Sequence, residues 1–432
     1  MLVEFRVQNF ASFNTLQTLN MSASNTTKEN FNETNTIAIE QFGVNKLLKS
    51  AAIFGANAGG KTNLIGAVST LKNIVLNSLA NPEENLLETV IPFLIKEQKF
   101  DQATEFEVTF IYEQHLYRYG IAIKNAIITE EWLFWRKQSR ETLLFQREQQ
   151  EIKINSRSFS EAKDFIKEEN GKYYLEKTRE TVPFISVLSQ FNGEKSRKIT
   201  RWFKKLHIIS GIQETGFDQF TLNLLSKDTI FKTWILDILL SLQIADINVN
   251  EEQPFNKTMG ISIAEAGNNV KIHFRKNYKV DIIKKITGTD AKYTTPFRLE
   301  SEGTKKLIYL LGPLYDAIKN GEILFIDEFD SKFHSLLSKF ILEIYHRKNN
   351  TNSQLIITCH DTNLLTKSIF RRDQIWFVEK NQAHESELYS LLEYKEHYTR
   401  QGDSYSKDYL LGKYGAIPLF SSIDKLIEAL DG

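Results

Sequence analysis

The chain reads as an α/β protein with a mixed central sheet, an antiparallel β layer and a helical insertion lobe. Three observations predict this. An apolar run, Ala51-Ala52-Ile53-Phe54, leads into Gly55-Ala56-Asn57-Ala58-Gly59-Gly60-Lys61-Thr62 and then into a segment of helical period. Toward the C-terminus, two more apolar runs, 323–326 and 354–358, alternate with helix-period segments, as βα units do. Between these regions, residues 104–148 alternate apolar with polar positions, and 156–245 shift to helical periods.

Residues 1–20 alternate like an edge strand or hairpin, and the polar, Asn/Thr-rich stretch 22–37 reads as loop. Ala51–Phe54 is a short buried strand. Residues 55–62 then satisfy G-x-x-x-x-G-K-[ST] in full. Gly55, Gly59 and Gly60 let the backbone turn its N–H groups inward, and the N-terminus of the following helix adds partial positive charge. Gly55, Asn57, Gly59, Gly60, Lys61 and Thr62 are therefore candidate phosphate-binding residues. Lys61 suits the β- and γ-phosphates of ATP, and the Thr62 hydroxyl suits Mg²⁺. The helix is marked by Leu64, Ile65, Val68, Leu71, Ile74, Val75 and Leu79.

In 104–148, Phe106, Val108 and Phe110, then Tyr117, Tyr119, Ile121 and Ile123, alternate as in β-hairpins. The clearest helical pattern of the next region runs from Asp228 to Leu242; it is too short and too poorly heptad-patterned for a long coiled-coil arm. Residues 259–276 return to strand alternation around Gly267-Asn268-Asn269. The expected division is 1–155, 156–258 and 259–432.

Three further stretches carry chemistry. Leu299-Glu300-Ser301-Glu302-Gly303-Thr304 precedes a strongly periodic helix; Ser301 stands at the N-cap and Gly303 leaves backbone amides open, so this is a second candidate anion site. Ile323-Leu324-Phe325-Ile326 ends on Asp327-Glu328, where Asp327 suits Mg²⁺ and Glu328 suits a base or water-positioner. Gln354–Thr358 ends on Cys359-His360-Asp361, where His360 suits a γ-phosphate or attacking water. Each stretch has a plain structural reading beside it: solvated acids, a capped helix, a histidine at a strand end.

Taken in this order, the four stretches resemble the ATP-binding cassette (ABC) class of P-loop ATPases, which includes transporter cassettes and the RecF, SMC and OLD families. Val3–Phe13, with Asn9-Phe10-Ala11-Ser12-Phe13, resembles the opening of RecF/SMC-like ATPases. Asp327-Glu328-Phe329-Asp330 with Phe333-His334, Arg372–Val378 and Tyr409–Pro418 resemble bacterial "AAA" ATP-binding proteins of the abortive-infection type. The resemblance implies an ABC-type P-loop ATPase fold, ATP and Mg²⁺ as ligands, and a head-to-tail dimer. In that dimer Ser301 and Gly303 of one copy close over the nucleotide of the other. It also implies a separately encoded nuclease or toxin as partner in anti-phage defence, without a nuclease domain in this chain. Glu302 departs from transporter signatures, which carry Gly there. Gln190, in Phe184–Asn192, is the candidate for the class's glutamine loop.

Composition adds bounds. Lys+Arg and Asp+Glu both number 54, so no global basic bias points to nucleic acid. Cys359 is the single cysteine, which excludes an internal disulfide and suits a reducing cytoplasm. No apolar run spans a membrane, and the N-terminus lacks a signal peptide's apolar core. Two basic stretches, Lys195–Lys205 around Trp202 and Phe203, and Lys271–Lys285 around Phe274 and Tyr278, suit either a nucleic-acid or acidic partner, or simply solvated faces. Two alternatives to the defence ATPase follow: a RecF-like repair or recombination ATPase, and a scaffold that binds ATP without hydrolysing it.

Overall fold

Most of the alternating segments join a single antiparallel sheet in a computed structural model of the chain, which describes residues 1–25, 31–81, 83–95, 102–138, 140–211, 217–252, 277–286, 288–394 and 404–418. β1 (Leu2–Gln8) and β2 (Gln17–Asn20) pair antiparallel. β3 (Thr36–Gln41) and β4 (Val44–Leu48) form a separate hairpin, so the expected loop stops at residue 35. β5 (Ser50–Phe54) leads through 55–60 into α1 (Lys61–Asn77). β6 (Thr104–Tyr112), β7 (His115–Lys124), β8 (Ile127–Arg136) and β9 (Glu141–Glu148) are the expected hairpins. β10 (Glu151–Ile154), β11 (Ile166–Glu169) and β12 (Lys172–Leu175) extend them, giving nine strands in the order β11-β12-β10-β9-β8-β7-β6-β1-β2. β1 is thus interior to the sheet, between β6 and β2, rather than an edge.

α2 (Phe184–Gln190) and α3 (Glu194–Lys204) follow, then β13 (Leu206–Ser210), α4 (Phe217–Lys227) and α5 (Thr229–Leu239). β14 (Ile244–Glu252), β15 (Asn277–Lys285) and β16 (Lys292–Pro296) make a three-stranded antiparallel sheet ahead of α6 (Glu302–Asn320). The hairpin expected around Gly267 lies outside the described residues. The chain then alternates β17 (Ile323–Asp327), α7 (Ser335–Tyr345), β18 (Gln354–Cys359), β19 (Ile375–Lys380), β20 (Ser386–Ser390) and α8 (Tyr405–Leu410). The central sheet runs β13-β17-β18-β5-β19-β20; β17, β18, β5 and β19 are parallel and β20 is antiparallel, so it is mixed as expected.

These elements divide into two units: Met1–Ile209 with Asn320–Ser331 and Ser335–Gly432, and Ser210–Lys319 with Lys332–His334. The expected boundary at 155/156 falls inside the first unit, because 156–209 holds β11, β12 and most of β13 as well as helices. α4 and α5 share the second unit with the three-stranded sheet and α6. In the first unit, α1 bridges the two sheets: Leu64, Ile65, Val68 and Leu71 share one core with Phe5 and Val7 of β1 and Ile323 and Phe325 of β17. α3 docks by stacking Trp202 on Phe110, with centroids 3.9 Å apart. α2 is held through a buried ion pair. Arg147 Nη1 lies 3.4 Å from Glu131 Oε2, which accepts from Phe184 N at 2.7 Å, while Oε1 accepts from Ile185 N.

Behind the sheet, His346 is buried with Nε2 2.7 Å from Ser50 Oγ. Gln374 Nε2 also donates to that hydroxyl, so the imidazole is held in a closed polar contact behind the strand. Burial, then the charge of Lys49, lowers the His346 pKa from 6.5 to about 3. Between these values the unfolded chain binds the extra proton, so stability is lost as pH falls from 6.5 toward 3. In His346→Gln this acid loss is expected to shrink by up to about 1.4 kcal/mol per pH unit. Urea unfolding of both proteins at neutral and mildly acidic pH checks it; identical acid losses would refute the assignment.

Candidate nucleotide-binding site

All five residues of β5 are buried, and the chain turns immediately after them. Gly55 makes the turn under a carbonyl of β19: a Cβ there would lie 2.2 Å from Val378 O. At the loop's far end Gly60 has φ 123°, and a Cβ would lie 2.5 Å from Ser386 Oγ. Only glycine fits either place. α1 starts at Lys61 with no side-chain cap and no acid in its first turn, which leaves its partial positive charge available to an anion.

A cleft of about 500 Å³ lies over this turn, lined by residues 57–63 together with Glu328 and His360. Gly55, Asn57, Gly59, Gly60, Lys61, Thr62, Asp327, Glu328 and His360 are therefore assembled by one edge of the central sheet. Lys61 is buried, and its Nζ donates to Gly55 O (2.7 Å) and Ala56 O (3.0 Å). Burial lowers its pKa; Asp327, Glu328, Asp330 and Cys359 act in the opposite direction.

The acids are fixed by Thr358, a residue that sequence reasoning placed only in the strand. Its buried Oγ1 donates to Asp327 Oδ1 (2.6 Å) and accepts from Glu328 N (2.7 Å), and its carbonyl accepts from Phe329 N (3.0 Å). These bonds hold Glu328 at φ 52°, in the left-handed region. Asp330 Oδ2 then accepts from His360 N (2.8 Å) and from Asp361 N, tying the turn after β17 to the turn after β18.

Two more residues were missed because they are distant in sequence. Ser12 Oγ accepts from Asn63 Nδ2 (2.7 Å), and Ser386 Oγ lies 2.6 Å from Gly59 O. The Asn9–Phe13 opening thus has a job at the loop. Its Asn9 is structural, accepting from Phe93 N and donating to Gln102 O.

Gln190 is not brought to the cleft. It lines a different cavity with Leu76, Leu79 and Ala80, at the far end of α1. That is roughly 22 Å along the helix from Lys61. Ser301 and Gly303 belong to the second unit. There Ser301 Oγ accepts from Thr304 N (3.2 Å), a Cβ on Gly303 would lie 2.8 Å from Lys332 O, and Glu302 pairs with Lys305 and Lys332. Trp202 and Phe203 are core residues, so the first basic stretch has no aromatic side chains to stack on bases. Of the second, Lys284 pairs with Glu300 and Lys285 with Asp290, while Lys271, Phe274, Arg275 and Lys276 lie outside the described residues.

Residues 50–174 and 191–366 match the family described as "AAA domain, putative AbiEii toxin, Type IV TA system". The chain belongs to this family. The match to this AAA family spans the phosphate loop, the acidic strand and His360, and leaves out α2 with Gln190. No curated protein matches the sequence. Among solved structures the chain is similar to the SMC head domain from Thermotoga maritima (13% identity, 90% of this chain and 98% of that one, TM-score 0.40). It is also similar to an SMC head bound to the C-terminal winged-helix domain of ScpA (12% identity, 90% and 97%, TM-score 0.43). Among the described residues, no helix is long and apolar enough to cross a membrane.

The left-handed backbone at Glu328 makes a test. Glu328→Gly and Glu328→Ala both remove the carboxylate, yet the glycine variant is expected to be the more stable by about 1 kcal/mol, against the usual order. Denaturant unfolding of the pair decides it, and an alanine variant at least as stable would contradict the strain.

Proposed function

We propose that the chain binds ATP with Mg²⁺ and hydrolyses it, and that two copies close around the nucleotide to gate a partner effector. The observation that carries the reading is the convergence of the phosphate loop, Glu328 and His360 on one cleft.

The loop amides and the N-terminus of α1 receive the phosphates, and Lys61 exchanges its two carbonyl partners for phosphate oxygens. One lysine among Asp327, Glu328 and Asp330 leaves the cleft rich in negative charge, so a polyphosphate needs a divalent cation. Among the described residues no cluster of three or more His, Cys, Asp or Glu side chains could hold a metal. Mg²⁺ takes one or two protein ligands, which would here be the Thr62 hydroxyl and the Asp327 carboxylate, and would offset phosphate charge. The bond from Thr358 orients that carboxylate. Glu328 takes the proton of the attacking water, and His360 donates to the γ-phosphate.

Ser301 and Gly303 act on the nucleotide of the second copy, at the start of α6. The effector in this reading is a separately encoded nuclease or toxin, and the setting is anti-phage defence in the cytoplasm; the description of the matching family, which names a toxin and a toxin–antitoxin system, supports the toxin part alone. The burial of Trp202 and Phe203 weighs against a repair ATPase that would bind nucleic acid at 195–205.

Mixing Lys61→Ala and Ser301→Arg chains tests the split site. Random pairing leaves one intact composite site in half the dimers, so about a quarter of parental turnover is expected to return. Dimers that form without any recovery would sink the trans arrangement. Separately, Glu328→Gln is expected to retain ATP binding and lose turnover by about 10²–10⁴-fold; a parent with no turnover to lose would favour the scaffold reading.

A further inference from the structure

Four side-chain and backbone groups close a ring around the start of α1. Asn63 Nδ2 is 2.7 Å from Ser12 Oγ, Ser12 Oγ is 2.8 Å from Ser386 Oγ, and Ser386 Oγ is 2.6 Å from Gly59 O. Gly59 and Asn63 flank the Gly60-Lys61-Thr62 turn that lines the cleft. Each hydroxyl has one hydrogen, and a carbonyl only accepts. Ser12 Oγ therefore accepts from the Asn63 amide and faces the Ser386 hydroxyl, whose one hydrogen is shared between Ser12 Oγ and Gly59 O, the shorter contact. Ser386 is fully buried and Ser12 nearly so, so water does not substitute readily.

We propose that Ser12 and Ser386 are positioning residues for nucleotide binding, which together set the orientation of the Gly59–Gly60 peptide. The peptide is planar, with C=O and N–H on opposite sides. Holding Gly59 O on Ser386 turns the Gly60 N–H away from β20 and toward the phosphates. The brace is itself anchored, since Ser386 N donates to Ser12 O (2.8 Å) and Asn14 Nδ2 to Glu385 Oε1 (2.6 Å). The close approach at Gly60 has the same origin: the hydroxyl that holds the loop occupies the place of a side chain.

This rests on the reading that the cleft takes a nucleotide, and the experiment separates the two. Full-length parent, Ser386→Ala, Ser12→Ala, the double variant and Lys61→Ala are titrated with Mg·ATP, with thermal unfolding recorded in the absence of nucleotide. Each serine variant is expected to weaken ATP binding about tenfold, seen in KM more than in kcat. The double variant is expected to bind no worse than about twofold below either single, because one broken link frees the whole chain. Parental affinity in both serine variants, beside a defective Lys61→Ala, overturns the brace and leaves the ATP site standing. Fully additive losses, or losses in Tm with affinity unchanged, also overturn it. A parent that binds no ATP overturns both. Ser12→Ala breaks the chain at its middle and gives the same reading should Ser386→Ala not fold.

Discussion

Ile357 of β18 stands opposite Ile326 of β17 on one side and Ala52 of β5 on the other, and all three strands run parallel. The next residues along this register are Asp327 beside Thr358, and the pair Phe54 and Cys359 just before Gly55 and His360. The phosphate loop, the acids and the histidine therefore arrive at one sheet edge because of strand alignment. A slip by one residue would turn every side chain to the opposite face and separate Thr358 from Asp327. Burial of nearly all the residues of these strands makes such a slip expensive, so the core that stabilises the fold also aligns the site.

From that alignment the site is moulded mostly by backbone and by small polar groups. The Val378 carbonyl shapes the loop at Gly55, and Ser386 shapes it at Gly60. A single hydroxyl, that of Thr358, serves both Asp327 and the strained Glu328 amide. Strain of this kind persists only where surrounding bonds over-determine it, and two bonds to one residue do so here. Asp330 extends the same logic to His360 by accepting its amide. The carboxylates of this turn thus differ in kind: Glu328 lines the cleft, Asp327 is held by Thr358, and Asp330 ties down the turn after β18.

Local patterns made much of this legible. A buried run ending in a glycine loop, or in two acids, declares strand, turn and chemistry within a dozen residues. The β-hairpins at 104–148 were equally readable from alternation. Between 156 and 209 the helical reading overlooked Asn170-Gly171, whose two positive φ values (52° and 77°) make the tight turn joining β11 to β12. Gln190, the candidate for the glutamine loop, lies away from the cleft for another reason: α2 is pinned by Glu131 and Arg147 at the far end of α1. Ser12 and Ser386 lie 374 positions apart, and no local pattern relates two serines at that distance.

The stretch at 301–304 answers to more than one constraint. In sequence, Glu302 looks like a negative charge set where an anion should bind. In the second unit its carboxylate is drawn to Lys305 and Lys332, and their bonds, that of Lys305 first, hold its pKa below the usual carboxylate range. Gly303 in turn allows the Lys332 carbonyl to come close, so the same residue that offsets Glu302 also explains its neighbour. An anion approaching the first turn of α6 meets less repulsion than the letter at 302 suggests. The lysine responsible lies 30 positions later, just past the acids of β17.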